Sequence, residues 1–238
     1  MEILRRTISR LLFPHMYCNE AFVNYLRSNG AKIGENTRFI YPRRCKVDVN
    51  RAEYITIGNN CCLSEVSILA HDYSWYIALE AANEFIPDPG GEVIIGDNCF
   101  IGFEALILKN TKIGDNVIIG ARGVVTGGII PSNTVWAGSP ARQICTLDEY
   151  IEIRKRKAKE SIALRKNILE RRNSHTIDDY GWFMLEFLPR TEENYERYIK
   201  KMEFNGVKNS SLIRNYFFSS KPIWDGWEDF INHIDQKM

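Results

Sequence analysis

The chain has 238 residues, of which 45% are hydrophobic and 26% are charged, as is ordinary for a folded globular protein. Its formal net charge is +1 and it carries no nucleic-acid-binding motif, so we expect no nucleic-acid partner. The six cysteines match no zinc spacing, so we expect no bound metal. No apolar run reaches 18 residues, so we expect no transmembrane segment. A secretory leader pattern is also lacking, so we expect a cytoplasmic protein with free thiols.

The first thirty residues predict two short helices. Residues 2–13 combine apolar side chains with three arginines and stop before Pro14, as an amphipathic helix would. A second helix is expected at about 18–28. We interpret residues 1–30 as a helical cap over the open end of the domain that follows. Contact with a membrane surface is the alternative.

A six-residue period begins clearly at residue 95. Consecutive units read IGDNCF, IGFEAL, ILKNTK, IGDNVI, IGARGV and VTGGII. Each unit opens with an aliphatic residue, and its fifth position is small or thin, with Ile129 as the one bulkier exception. Earlier copies of the pattern begin at Ile33 and Ile57.

This period indicates neither a helix nor an ordinary strand, since those repeat every 3.6 and every two residues. A solenoid with three flat faces per coil fits six residues to each face. The aliphatic residue then points inward on every face, while Gly, Asn and Asp occupy the corners. The sequence therefore predicts an all-β parallel solenoid over residues 31–145, with at least three stacked coils.

The longest interruption of the period lies at residues 70–92, which we expect to project from the solenoid as a loop. His71 begins this loop and is the only histidine within residues 31–145. Histidine is the side chain best suited to proton transfer near neutral pH. A structural, hydrogen-bonded histidine is the alternative.

The aliphatic-Gly-x-x-small pattern resembles the hexapeptide-repeat acyltransferases, and this resemblance implies a left-handed parallel β-helix. The segment Ala70-His71-Asp72-Tyr73-Ser74-Trp75, followed after the insertion by Ile95-Gly96-Asp97-Asn98, is similar to the galactoside, xenobiotic and capsular-polysaccharide O-acetyltransferases. In those enzymes the catalytic histidine begins such a loop. The resemblance implies an acetyl-CoA-dependent O-acetyltransferase with His71 as general base. The implied acceptor is a sugar hydroxyl of a bacterial capsular, exo- or lipopolysaccharide.

The residues just after His71 are candidates for binding the acceptor. Asp72 stands where the galactoside branch has proline; it could orient the imidazole, bind a sugar hydroxyl or close a turn. Tyr73 and Trp75 could stack on a sugar face, or they could pack on a neighbouring subunit.

The resemblance also implies a homotrimer that binds acetyl-CoA between its subunits. The residues assigned to the donor are Phe103, Ala121, Thr126, Gly127 and Arg142. Phe103 lies one coil before Ala121, at a place where the family often has Ser or Ala. Arg142 ends a segment similar to the family's Gly-x-Pro-Ala-Arg and suits a CoA phosphate; a simple surface arginine is the alternative.

After Cys145 the pattern becomes helical. Thr146 and Glu149 have capping-box spacing, and we expect residues 146–238 to form a helical C-terminal extension. Two other functions stay open: N-acylation of an amino sugar nucleotide, and a non-catalytic β-helix assembly module. A zinc β-helix enzyme with three histidine ligands is disfavoured because the coils contain only His71.

Overall fold

The structure, a computed structural model, describes residues 8–87, 90–160, 188–204 and 211–226, together with residues 228, 229 and 232. The chain forms two compact units, Met1–Glu152 and Ile153–Met238. The first unit contains the solenoid, and the described part of the second is helical.

The solenoid is built from short strands in three sheets. The first sheet stacks β1 (Lys32–Ile33), β4 (Ile55–Ile57), β7 (Val93–Ile95), β10 (Thr111–Ile113) and β13 (Gly128–Ile130). The second stacks β2 (Arg38–Ile40), β5 (Cys62–Ser64), β8 (Phe100–Ile101), β11 (Ile118–Ile119) and β14 (Thr134–Ala137), with β15 (Arg142–Thr146) antiparallel at its end. The third stacks β3 (Lys46–Val47), β6 (Ser67–Ile68), β9 (Leu106–Ile107) and β12 (Val124–Val125). The chain visits the three sheets in rotation and all other pairings are parallel, which confirms the expected parallel β-helix.

The first position of each repeat unit faces the inside of the solenoid, as the period predicts. None of these aliphatic side chains is more than 7% exposed: Ile33, Ile57, Ile95, Ile101, Ile107, Ile113, Ile119 and Val125. The fifth positions are buried beside them: Cys99, Ala105, Thr111 and Val117. Close packing of these two columns fills the coil and leaves little freedom to change side-chain volume.

Asparagines at the corner between the first and second sheets adopt the left-handed backbone conformation that the sequence predicts for turns. The φ angles of Asn98, Asn116 and Asn133 are 57°, 57° and 61°. Their side chains form a ladder in which Asn98 donates to Asn116 at 3.1 Å and Asn116 donates to Asn133 at 2.9 Å. The corner residues therefore stabilise the stacking of the coils as well as the turns.

The repeat is one residue short after Val125, which corrects the reading of VTGGII as a full unit. Ile130 pairs with Ile113 and faces the core. Ile129, which the period places at the inward fifth position beside Thr111, instead pairs with the exposed Lys112 and is itself 76% exposed. Gly127 and Gly128 close the shorter corner with φ angles of 106° and 89°. Residues with a Cβ are strained at these φ angles, whereas glycine adopts them without steric strain.

Helix Asn19–Ser28 packs on the first coil. Its side chains Phe22 and Leu26 are at most 1% exposed. The rings of Phe22 and Phe39 pack perpendicular to each other, with their centres 5.0 Å apart. Residues 8–12 are also helical, and the chain turns at Pro14. The beginning of the helix predicted at 2–13 lies outside the described residues.

The first coil also contains two 3-10 helices, Pro42–Arg44 and Val49–Tyr54. The insertion at 70–92 contains an α-helix, Trp75–Ala82, which the sequence reading as a plain loop did not predict. Its Ala-Leu-Glu-Ala-Ala run has high helix propensity. None of its residues is buried, so within the described chain it stands away from the solenoid core.

Helix Leu147–Glu160 follows β15. It begins with the predicted capping box, in which the Thr146 N–H donates to Glu149 at 2.8 Å and the Glu149 N–H donates to the Thr146 hydroxyl at 3.3 Å. The second unit contains helices Glu192–Phe204 and Ser211–Ser219. Residues 161–187, part of the predicted extension, lie outside the described ranges. No helix in the described part of the chain is long and apolar enough to cross a membrane.

Candidate active site

One corner of the solenoid, where the chain leaves the third sheet, brings His71 together with three other predicted site residues, Asp72, Thr126 and Gly127. Strands of this sheet are in register through Val47, Ile68, Ile107 and Val125. The residues that follow them in successive coils are Asp48, Leu69 to Asp72, Leu108 to Asn110, and Thr126 to Gly127. Since coils stack at about 4.8 Å, side chains from distant parts of the sequence meet at this corner.

His71 forms a pair with a carboxylate that lies in the coil before it. Its Nδ1 is hydrogen-bonded to Oδ2 of Asp48, whose side chain is only 2% exposed, while that of His71 is 15% exposed. The same Asp48 oxygen accepts the Ala70 N–H at 3.1 Å. Two donors therefore hold the carboxylate, and the carboxylate in turn fixes the imidazole ring.

This pairing decides what the imidazole can do. An ionised carboxylate only accepts hydrogen bonds, so it places the His71 proton on Nδ1 and leaves the lone pair on Nε2. Among the residues that the structure describes, none is hydrogen-bonded to Nε2 of His71. The arrangement suits a general base whose reacting nitrogen is turned away from its orienting partner.

Asp72 does not take the orienting position. It pairs with Lys109 from the next coil and also accepts hydrogen bonds from the N–H and hydroxyl of Ser74, the former at 3.0 Å. The Lys109 ammonium, together with Ser74, holds the pKa of the Asp72 carboxyl well below its usual range. Asp72 is thus an ionised carboxylate that links the start of the insertion to the next coil through Lys109.

The two predicted aromatic residues occupy different places in the insertion. The rings of Tyr73 and His71 pack edge to face, with their centres 4.6 Å apart, and Tyr73 is 65% exposed. Trp75 begins the helix and contacts Tyr76 edge-on at 6.0 Å. Tyr73 is therefore the aromatic side chain in direct contact with His71.

The structure distributes the predicted donor-binding residues over two edges of the third sheet. Thr126 and Gly127 follow β12 on the His71 edge. Phe103 and Ala121 lie on the opposite edge in adjacent coils, since the Arg122 N–H donates to the Phe103 carbonyl at 2.8 Å. Phe103 is 40% exposed and Ala121 is exposed. The predicted donor-binding residues therefore lie along both edges of the third sheet.

Arg142 lies at the start of β15, beyond the last coil. Its side chain is hydrogen-bonded to the carbonyl of Ala141 at 2.9 Å, and the residue is exposed. The chain before it covers the end of the third sheet, where the Ala141 N–H donates to Val124 at 2.8 Å. Arg142 thus adjoins the third sheet without joining the His71 corner.

An open groove of about 560 Å³ lies on the first sheet; of the corner residues Asn110 lines it, and His71 does not. Its lining includes Asn110, Lys112, Gly128 and Ile129. At Gly128 a side chain would have no atom within 4 Å, so the surface there is unobstructed. The groove has room and polar groups for part of a bound molecule.

Sequence reasoning missed Asp48 and Lys109. Asp48 precedes His71 by 23 residues, in a coil where the six-residue pattern is interrupted. Lys109 stands within the unit ILKNTK, where it looks like an ordinary solvent-facing residue. The register of the third sheet, which the structure supplies, brings Asp48 to His71 and Lys109 to Asp72.

The described residues contain no group of three His, Cys, Asp or Glu side chains that could hold a metal ion. All six cysteines are free. Burial raises the pKa of the Cys45 thiol to about 11, so this thiol is a poor nucleophile at neutral pH.

A repeat of this period and a histidine corner define the class of hexapeptide-repeat transferase. Residues 92–127 match the family described as "Bacterial transferase hexapeptide (six repeats)". The chain is 31% identical over 131 residues to the putative acetyltransferase YvoF of Bacillus subtilis (strain 168), covering 53% of this chain and 67% of that protein. It belongs to the hexapeptide-repeat acyltransferase family.

Two further relatives have more specific names. A chloramphenicol acetyltransferase of Morganella morganii is 31% identical over 127 residues, which cover 49% of this chain and 60% of that protein. The putative lipopolysaccharide biosynthesis O-acetyl transferase WbbJ of Escherichia coli (strain K12) is 33% identical over 105 residues, which cover 41% of this chain and 53% of that protein. The chain spans about three fifths of the length of the curated relatives it matches first.

Proposed function

We propose that this protein is an acetyl-CoA-dependent O-acetyltransferase with His71 as its general base. The observation that carries the proposal is the pair formed by His71 Nδ1 and the buried Asp48 carboxylate. A buried carboxylate that fixes one imidazole nitrogen leaves the other ready to accept a proton. Membership of a family of acyltransferases supports the same chemistry.

In this mechanism His71 Nε2 takes the proton from an acceptor hydroxyl as the oxygen attacks the thioester carbonyl. The hydroxyl is too weak an acid to lose its proton unaided, so a positioned base lowers the barrier. Asp48 stabilises the imidazolium that forms. His71 then returns the proton to the departing CoA thiolate, which leaves the acetyl ester and free CoA and restores the neutral imidazole.

The proposed donor site lies along the third face. Thr126 and Gly127 on one edge, with Phe103 and Ala121 on the other, would contact the pantetheine arm, and Arg142 would bind a CoA phosphate. The bare backbone at Gly127 and the open surface at Gly128 are compatible with close approach of a ligand chain. We further propose left-handed winding and a homotrimer with the donor bound between subunits, both in line with the family resemblance.

The proposed acceptor is a sugar hydroxyl of a bacterial polysaccharide, bound by Asp72, Tyr73 and Trp75. The relative named for lipopolysaccharide biosynthesis supports this class. Tyr73 supports it structurally, since an exposed ring beside the base can pack on a sugar face. We place the reaction in the cytoplasm, in keeping with free thiols at all six cysteines.

The test is release of free CoA from acetyl-CoA, followed with a thiol reagent, in the presence of polysaccharide fragments. His71→Ala should lower kcat by at least about 100-fold because the proton acceptor is lost. His15→Ala is a matched control outside the corner and should keep wild-type activity. Full activity in His71→Ala would overturn the mechanism, and faster transfer to an amino sugar than to any hydroxyl would overturn the O-acetyl assignment. Chloramphenicol as acceptor separates a drug-acetylating enzyme from a polysaccharide enzyme.

A further inference from the structure

The N-terminal end of the first unit exposes a cluster of large apolar side chains. The N-terminal patch consists of Ile8, Leu11, Leu12, Phe13 and Tyr41, which are 47%, 78%, 67%, 41% and 66% exposed. Single exposed apolar residues are normal on a protein surface, but four within six consecutive positions are not. This concentration points to a binding surface.

Arginines accompany the patch. The Arg43 guanidinium lies over the Phe13 ring at 4.8 Å, which brings the 41–44 turn next to the end of the N-terminal helix. Arg10 stands within the patch segment and lies 5.8 Å from the Tyr17 ring. Residues 8–19 contain Arg10 and no acidic residue. The apolar surface therefore has a positive rim.

The backbone at Tyr41 is consistent with a functional surface. Its φ is 54°, a left-handed conformation that is strained for a bulky aromatic residue. The turn that it opens, Pro42–Arg44, carries Arg43 to the Phe13 ring. Aromatic side chains of this kind are favoured at membrane–water interfaces, where one end is apolar and the other is hydrated.

We propose that the N-terminal patch docks on a membrane surface that contains anionic phospholipids. Leucine and phenylalanine would enter the boundary between headgroups and acyl chains, while Arg10 and Arg43 pair with lipid phosphates. Charge complementarity selects this partner, since a nucleic acid would use the arginines but not the leucines. Neither apolar burial nor charge alone is expected to suffice, so binding requires both.

The test is flotation of the full-length protein with vesicles of phosphatidylcholine alone or with roughly one third phosphatidylglycerol. The protein should float with the anionic vesicles, and added salt should weaken its binding. Leu11→Ser with Leu12→Ser should lower the partition coefficient about tenfold or more. Arg10→Gln with Arg43→Gln should lower it about fivefold for each arginine.

Matched controls keep the result specific. Ile144→Ser removes an isoleucine that is 63% exposed on β15, and Lys112→Gln removes an exposed charge from the first sheet. Both should bind vesicles like the wild type, and circular dichroism should show that all variants are folded. Absence of vesicle binding, or binding unchanged by the patch variants, overturns the proposal. A change of oligomeric state in the leucine variant with unchanged vesicle binding overturns it too, and assigns the patch to self-association.

Discussion

Replacing Asp48 with Asn tests the central feature of the site, because it removes the negative charge while nearly preserving shape. When His71 accepts a proton, its positive charge forms beside Asp48 in a place where the two side chains are only 15% and 2% exposed. Two unit charges about 4 Å apart at an effective dielectric constant of about 20 interact by about 4 kcal/mol. An amide recovers part of this as a hydrogen bond, so we expect kcat to fall about 100- to 1000-fold.

The assay is release of free CoA at saturating acetyl-CoA and acceptor, with kcat and KM determined separately. The KM for acetyl-CoA should change by less than about twofold, since Asp48 acts through His71 and contacts no substrate. The fold should persist: the amide oxygen can still accept the Ala70 N–H, so we expect a loss of about 1–2 kcal/mol in the free energy of unfolding. A purely structural role for Asp48 would not produce this separation of kcat from KM and stability.

Glu65→Gln is the matched control. The side chains of Asp48 and Glu65 are 2% and 6% exposed, and Glu65 forms its own ion pair with Arg44 at 3.2 Å. Its neutralisation should leave kcat within about threefold of the wild type. The reasoning is refuted if Asp48→Asn keeps more than about a tenth of wild-type kcat, or if Glu65→Gln loses as much activity as Asp48→Asn.

Three further predictions follow from the described geometry. Gly127→Ala should lower the free energy of unfolding by at least about 1 kcal/mol, measured by denaturant titration, because φ is 106° and the new Cβ would lie 3.3 Å from the Lys109 carbonyl; an unchanged midpoint would contradict the strain. Phe22→Ala should lower the free energy of unfolding by about 3–5 kcal/mol because Phe22 is 1% exposed. Phe103→Ala should lower it much less, since Phe103 is 40% exposed, and should raise the KM for acetyl-CoA several-fold. Cys45 should resist iodoacetamide at pH 8 in the folded protein and react after unfolding: with its pKa raised to about 11, only about one thiol in a thousand is ionised at that pH, and the fraction grows as pH rises towards 11. Peptide mapping by mass spectrometry measures this, and fast labelling of Cys45 in the folded protein would count against its burial.

The six-residue period was enough to predict the parallel solenoid because every coil presents the same positions to the same environment. Ile95, Ile101 and Ile107 open three consecutive units and each comes to lie on a different sheet, with at most 1% exposure. Local rules also predicted the helix at 18–28 and the capping box at Thr146. These features depend on residues close together in sequence, so the sequence alone specifies them.

Registers between coils depend on loop lengths that a repeat pattern does not reveal. Between the first two coils, stacked positions are 24 residues apart in the first and second sheets and 21 apart in the third. They are 18 apart in the regular region and 17 apart across the short corner after Val125. One residue fewer turns Ile129 outward and puts Ile130 in the core. The turn conformation at Gly127 and Gly128 decides this, and it becomes visible only once the coils are stacked.

Part of the candidate site could be predicted from the sequence, and part depended on the stacking of the coils. The sequence by itself singled out His71, because a lone histidine at the longest break in a regular repeat needs no tertiary information to be noticed. Only the tertiary structure placed Asp48 against His71 and Lys109 against Asp72, since each pair joins different coils. The physical reason is that stacking at about 4.8 Å brings together residues that are far apart along the chain, and the length of every intervening loop determines which residues meet.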